Sequence, residues 1–375
     1  MAVQVTTLHT LQCASNTVSS IESPFHLGPL DQLVYAFVPI ECVFVYRKPA
    51  SHDDFIPIRR LQQALSYLLD YYPHLTDRLQ FNPDSKAPEI TQLGTGAELL
   101  EASCTTRLDD ITSSSGRILM HSLPDSGNAL TPPFHPTLEG VCRDPIFAIQ
   151  HTRFACGGVA LGIRLHHIVC DAHGFFLLSR HLAEIYRALR DSSSPTVTCP
   201  PVIHSYLSGP NALSSEEEKE ALEYQARLSL LSYQGIPPSE AASQLSSGFW
   251  ASIDVRGSSR LGLPDEYFPN AVYPPYAYSS HELLAERPLW EVTRFLHNLI
   301  RSVRPSCIEQ EMKWVAAQPD KSRIRVNYSF ANGSFTVSQW SKHEMYAGVD
   351  YEVDGEPGQP VCPILVSPPF THDVD

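Results

Sequence analysis

Between Val159 and Leu189 the spacing of hydrophobic positions changes once, from a period of two to a period near 3.6. Val159, Leu161, Ile163, Leu165 and His167 fall on one face of an alternating run; Ala160, Gly162, Arg164 and His166 fall on the other. From Phe175 the apolar residues Leu178, Leu182, Ile185 and Leu189 recur at spacings of three and four. The pattern predicts a strand, a short turn and an amphipathic helix, with His166-His167-Ile168-Val169-Cys170-Asp171 at the junction. By phase, His167 continues the buried face and points inward, and His166 points with Arg164.

Other stretches fill in around this centre. Ile58, Leu61, Leu65, Leu68 and Leu69 form the stripe of a helix over 55–72, stopped by Pro73. The apolar run 39–46 reads as a strand. Residues 145–152, Gly157-Gly158 and the Val159 strand read as a hairpin. Residues 83–100 read as turns with short extended pieces, and 113–136 as loop. Further on, 191–201 is a linker and 214–231 a helix capped by Ser214 and Glu217. A helix over 283–303 and strands over 323–330, 333–340 and 363–366 complete the pattern.

A histidine at the end of a strand with an aspartate one turn later suits a general base with an orienting carboxylate. The spacing alone is common, and His121 to Asp125 repeats it in a Pro/Gly-rich stretch with no strand before it. That second copy is read as fortuitous. Two other chemistries compete at the junction. A metal site would draw on His166, His167, Asp171 and His173, but adjacent strand residues face opposite ways, so no metal is expected. A cysteine nucleophile would be Cys156 or Cys170 with His167, and Cys170 has no helix N-terminus or basic neighbour evident to activate it.

Composition narrows the class. The 375 residues are 43% hydrophobic and 18% charged, which is globular and enough for a large core. A net charge of −14 argues against nucleic acid as a partner. The nine cysteines form no C-x-x-C pair, and their odd number fits a reducing compartment. The first residues lack a basic and then apolar leader pattern, and no stretch has the length of a membrane span. The expectation is a soluble cytoplasmic protein with no membrane partner.

Several blocks together resemble the BAHD superfamily of acyl-CoA-dependent acyltransferases, nearer its fungal branch with the trichothecene O-acetyltransferases. HHIVCDAHG at 166–174 resembles the family's His-His-x-x-x-Asp-Gly block, with Ala172 where Gly is usual and Gly174 close behind. GPLDQL at 28–33, the helix block at 61–79, the hairpin at 149–167, IDVRGSSRLGLPDEYFPNAVY at 253–273 and SQWSKHEMYAGVD at 338–350 follow in family order. The chain departs at Thr76-Asp77. It departs again after Asp350-Tyr351, where EVDGEPGQP replaces the family's Gly-Trp-Gly.

The resemblance implies an α/β, two-lobed chloramphenicol-acetyltransferase-like fold, with mixed sheets flanked by helices and a channel between the lobes. Residues 1–190 would form the first lobe, 191–250 a shortened crossover with one helix, and 251–375 a second lobe that is incomplete relative to the family. The implied reaction moves an acyl group, acetyl by default, from acetyl-CoA or another acyl-CoA to a hydroxyl of a small secondary metabolite, or to an amine. No permanently bound cofactor is expected, and the family expectation is a monomer. His167 would be the base. Asp171 would turn away from it and pair with Arg256, with His166 and Gly174 as structural support. Ser338 and Trp340 would line the channel, and Asp350 would be a structural loop residue. The shortened crossover also admits a non-catalytic relative that only binds its ligand.

Overall fold

The computed structural model describes residues 3–224, 231–233, 248–279, 282–283, 286–326, 340–355 and 358–369. A mixed six-stranded sheet organises the first half. Its strands are β1 (Val3–Leu11), β2 (Pro39–Tyr46), β3 (Ala97–Cys104), β4 (Phe147–Phe154), β5 (Val159–His166) and β6 (Leu365–Ser367), in the spatial order β1-β3-β4-β5-β2-β6. Only β3 and β4 run parallel; the other neighbours are antiparallel. The hairpin between β4 and β5 closes with Phe154 N–H donating to the Gly158 carbonyl.

One face of this sheet carries helix α1 (Ile58–Tyr71) and helix α2 (Ala172–Arg190). The odd residues of β5, from Val159 to Leu165, pack there with Phe44, Phe147 and Ile149 against Leu61, Leu65, Phe175, Phe176 and Leu182. Burying each such side chain is worth about 1.5–3 kcal/mol, so the two stripes hold the helices in place. The opposite face is buried too. Residues 105–130, which overlap the loop expected over 113–136, wind in 3-10 turns and press Leu108, Ile118, Met120, Leu123 and Leu130 onto Val43, Val45, Phe154 and Ala160. Their polar neighbours hide this role in the sequence. Gly162 is required here, because a Cβ would lie 2.0 Å from the Leu130 carbonyl oxygen.

The second half contributes α3 (Ser215–Glu223), α4 (Leu289–Ser302), α5 (Pro305–Ala317) and several two-stranded pairs. α3 starts with the expected Ser214–Glu217 capping box and ends at Glu223, earlier than its pattern suggests. α5 was not legible in the sequence. It packs Ile308, Met312 and Val315 against Leu30, Val255, Tyr267 and Tyr273. Lys321 closes it, its ammonium donating to the carbonyls of Val315, Ala316 and Gln318. Of the expected strand over 323–330, Ile324–Val326 is described and pairs with Leu231–Tyr233. The one expected over 333–340 lies outside the described residues apart from Trp340. No helix among the described residues is long and apolar enough to cross a membrane.

Candidate active site

β5 ends one residue earlier than its alternation predicts. His166 is its last paired residue, opposite Pro39 of β2. His167 then opens a 3-10 turn, His167–Val169, and its N–H donates to the Val38 carbonyl at 3.2 Å. The expectation that His167 continues the buried strand face is therefore corrected. Ladder pairing with β2 ends at Pro39, and after the single bond to Val38 the backbone turns at His167, which breaks the alternation. The side chain is half-buried; Nδ1 is buried without a hydrogen-bond partner, which leaves Nε2 as the nitrogen that reaches open space. Burial lowers the His167 pKa from its ordinary value, so the ring is neutral at pH 7.

Asp171 caps α2, accepting from the Gly174 N–H at 3.1 Å. Its two oxygens also take a bidentate pair from Arg256, at 2.9 and 3.0 Å, and the Ala271 N–H at 2.9 Å. His167 is not among its partners, so the carboxylate does not orient the ring as a triad would. Burial alone would raise this carboxyl; the Arg256 guanidinium and the N–H donors hold it below the ordinary carboxylate range. Arg256 in turn donates to the Tyr267 and Pro269 carbonyls and to Asp254. The pair thus ties the first turn of α2 to the 254–271 segment. Gly174 lets them approach: a Cβ there would lie 2.1 Å from the Phe268 carbonyl oxygen.

Two residues that sequence reasoning missed belong to the same place. Asp31, fully buried on a one-turn helix at 29–32, accepts from the Gly28 N–H and from both nitrogens of Asn270. The Asn270 amide also donates to the His167 and Ile168 carbonyls. Both lie inside blocks that carried the family resemblance, GPLDQL and DEYFPNAVY. The available signal was a lone carboxylate between Leu30 and Leu33 in a short Gly-Pro turn.

The remaining candidates have partners of their own. His166 and Arg164 occupy the reverse face of β5, around Phe134 at 5.3 and 5.5 Å. His173 Nε2 lies 2.7 Å from the Asp265 carbonyl oxygen. Among the described residues no group of three or more His, Cys, Asp or Glu is placed to hold a metal ion. Cys170 is fully buried, and burial pushes its thiol well up, the wrong direction for a nucleophile. Trp340 packs on Phe175 and Phe176 of α2, with ring centres 6.5 and 5.8 Å away. Ser338 lies outside the described residues. Asp350 accepts from Arg187 of α2 at 3.2 Å, and the next two residues dock with it. Tyr351 packs edge-on against Tyr46 and Tyr186, and Glu352 accepts from Arg60. The fortuitous His121–Asp125 pair is exposed, with Asp125 in a left-handed kink.

A neutral imidazole with one open nitrogen, on a turn braced from both halves of the chain, can accept a proton from a hydroxyl or amine. Comparison with known proteins bears on which. A family model described as the Transferase family matches residues 1–229 and 236–371. 13-Hydroxylupanine O-tigloyltransferase of Lupinus albus is 30% identical over 154 residues, 39% of this chain and 30% of that enzyme. Taxadien-5-alpha-ol O-acetyltransferase of Taxus chinensis is 32% identical over 137 residues, 35% of this chain and 28% of that enzyme. The aligned part thus spans about a third of these curated relatives. The structure of F. graminearum TRI101 complexed with Coenzyme A and T-2 mycotoxin superposes with a TM-score of 0.64 at 14% identity, covering 94% of this chain and 90% of that one. At that identity the likeness is one of fold, the two-lobed arrangement of mixed sheets flanked by helices. The family model covers nearly the whole sequence, and the chain belongs to the Transferase family, the BAHD acyltransferases it resembles.

Proposed function

We propose that the protein transfers an acyl group from acyl-CoA to a hydroxyl of a small secondary metabolite, with His167 as general base. The observation that carries this reading is the His167 ring: neutral, sealed at Nδ1, open at Nε2 and held on a braced turn. Nε2 takes the acceptor's hydroxyl proton as the oxygen attacks the thioester carbonyl. The tetrahedral oxyanion then collapses, the C–S bond breaks, and the CoA thiolate receives the proton from the imidazolium. Family membership supports the thioester donor, and the relatives named above support a metabolite hydroxyl as acceptor. Acetyl is the default acyl group, and a monomer in the cytoplasm is the expected form. Trp340 and Ser338 are proposed to line the channel, as the family resemblance implies.

The test is turnover of acetyl-CoA and longer acyl-CoAs with a panel of alcohols and amines, following free thiol. Acyl transfer that His167→Ala abolishes supports the proposal. Transfer to amines alone would replace the hydroxyl assignment. Acyl-CoA binding without turnover in any combination would make the protein a ligand-binding relative.

A further inference from the structure

Beyond the ring and its Arg256 brace, the polar cluster of Asp31 and Asn270 is fully buried and contacts the same turn. We infer that Asn270, anchored by Asp31, is a positioning residue that fixes the His167 turn through its two carbonyls. This rests on the reading of His167 as the base.

The geometry is specific. Asn270 Nδ2 lies 2.9 Å from Asp31 Oδ1, 3.2 Å from the His167 carbonyl oxygen and 3.1 Å from that of Ile168. Two of the neighbours are carbonyls and the third, Asp31, which burial raises to about 6, is mainly carboxylate at pH 7, so the amide sits with its nitrogen toward them and shares its two hydrogens among three acceptors. Bonds to two successive carbonyls hold two successive peptide planes. They set ψ of His167, and with it the direction in which its side chain leaves the backbone. The anchor is equally firm. Asp31 Oδ1 also accepts the Asn270 N–H at 3.0 Å, and Oδ2 accepts the Gly28 N–H at 2.9 Å. Asp31 and Asn270 are 0 and 1% exposed.

Three distant segments therefore meet at one amide: the turn at 28–32, the 167–169 turn and the 270–271 strand entry. Gly28 packs the first of these turns closely on another segment, since a Cβ would lie 2.3 Å from the Tyr206 carbonyl oxygen. Leu30 pins the same turn into the second-half core beside Ile308 and Met312. The Asp171–Arg256 pair holds the helix end of the junction. Asn270 holds its histidine end, where a displacement of about 1 Å costs on the order of 100-fold in rate.

The experiment compares the full-length parent with Asn270→Ala and Asn270→Asp. Asn270→Ala is expected to lower kcat about 10- to 100-fold while KM for acyl-CoA stays within about two-fold. Hydrogen exchange of a peptide spanning 165–171 should quicken while that of α1 does not. In Asn270→Asp the new carboxylate faces Asp31 and two carbonyls. Only its protonated form can donate, so its deficit against the parent should shrink as pH is lowered from 8 to 6. An Asn270→Ala protein with parental kcat and parental exchange in the turn overturns the inference, as does a loss of kcat matched by faster exchange everywhere. If Asn270→Ala does not fold, a pH-independent deficit in Asn270→Asp overturns it. If the parent turns over no acyl-CoA, the functional reading has failed, and the exchange comparison alone decides whether Asn270 holds the turn.

Discussion

The two ends of one histidine pair meet opposite surroundings. On the His167 side, the charges nearby are saturated: Asp171 takes four N–H bonds, and every guanidinium nitrogen of Arg256 has an acceptor. On the His166 side, Arg164 is 1% exposed and donates to the Pro145 carbonyl at 3.2 Å, while its Nε and Nη1 have no partner. Both ring nitrogens of His166 are likewise buried without a hydrogen bond of normal geometry. Burial pushes Arg164 down to about 10 and His166 down to about 3. The lesson is that residue type does not decide a side chain's role. The elements that close over it do: on one side a segment from the second half with carbonyls to spare, on the other the ring of Phe134.

That contrast can be broken from either side. His167→Ala is the largest expected effect, a loss of about 10²–10⁴ in kcat with the unfolding midpoint kept. Retained turnover would remove the distinction between the two histidines. Arg256→Ala strands a buried carboxylate and should cost about 3–5 kcal/mol, measured by urea unfolding. Gly174→Val forces a side chain against the Phe268 carbonyl and should cost about 1–3 kcal/mol, with activity falling as the junction opens.

His166→Phe sharpens the reverse face through pH. A group whose folded pKa lies below its unfolded value binds its proton more tightly in the unfolded chain. The contribution of neutral His166 is thus fully present above about 6.5 and lost as pH falls toward its folded value of about 3. The variant should lose less stability than the parent between pH 7 and 4.5, judged from paired urea curves. An equal loss would show that His166 is not sealed. The smallest effect belongs to His121→Ala, within about 0.5 kcal/mol of the parent, because that pair lies on the surface.

How much of this was legible varied with the physics. The stripes of α1 and α2 read directly, since each buries one face against a sheet and must repeat apolar residues to do so. β1 did not read: most of its residues are exposed at the sheet edge, so nothing enforces alternation. β3 was hidden among turn-forming residues. α5 was hidden by its weak amphipathic contrast, although Pro305 at its first turn is a start signal. At the site, the His-x-x-x-Asp spacing located the turn, but not where the strand would stop. The Asp171–Arg256 pairing came from family resemblance alone, because no local pattern links residues 85 apart. Asp31 and Asn270 are separated by 239 positions, so no local pattern links one to the other.

The edge strand β6 has a consequence for synthesis. Leu365, Val366 and Ser367 pair with Val45, Phe44 and Val43, and Ile364 N–H donates to the Val45 carbonyl. The edge of β2 stays uncovered until roughly 320 more residues have left the ribosome, on the order of tens of seconds at ordinary elongation rates. Through that interval a run of Val43, Phe44 and Val45 offers open backbone to any passing strand, the arrangement from which misassembly starts. Chaperone cover or dilution would shield that edge until Leu365–Ser367 pairs with it, and truncation before residue 365 leaves it exposed for good.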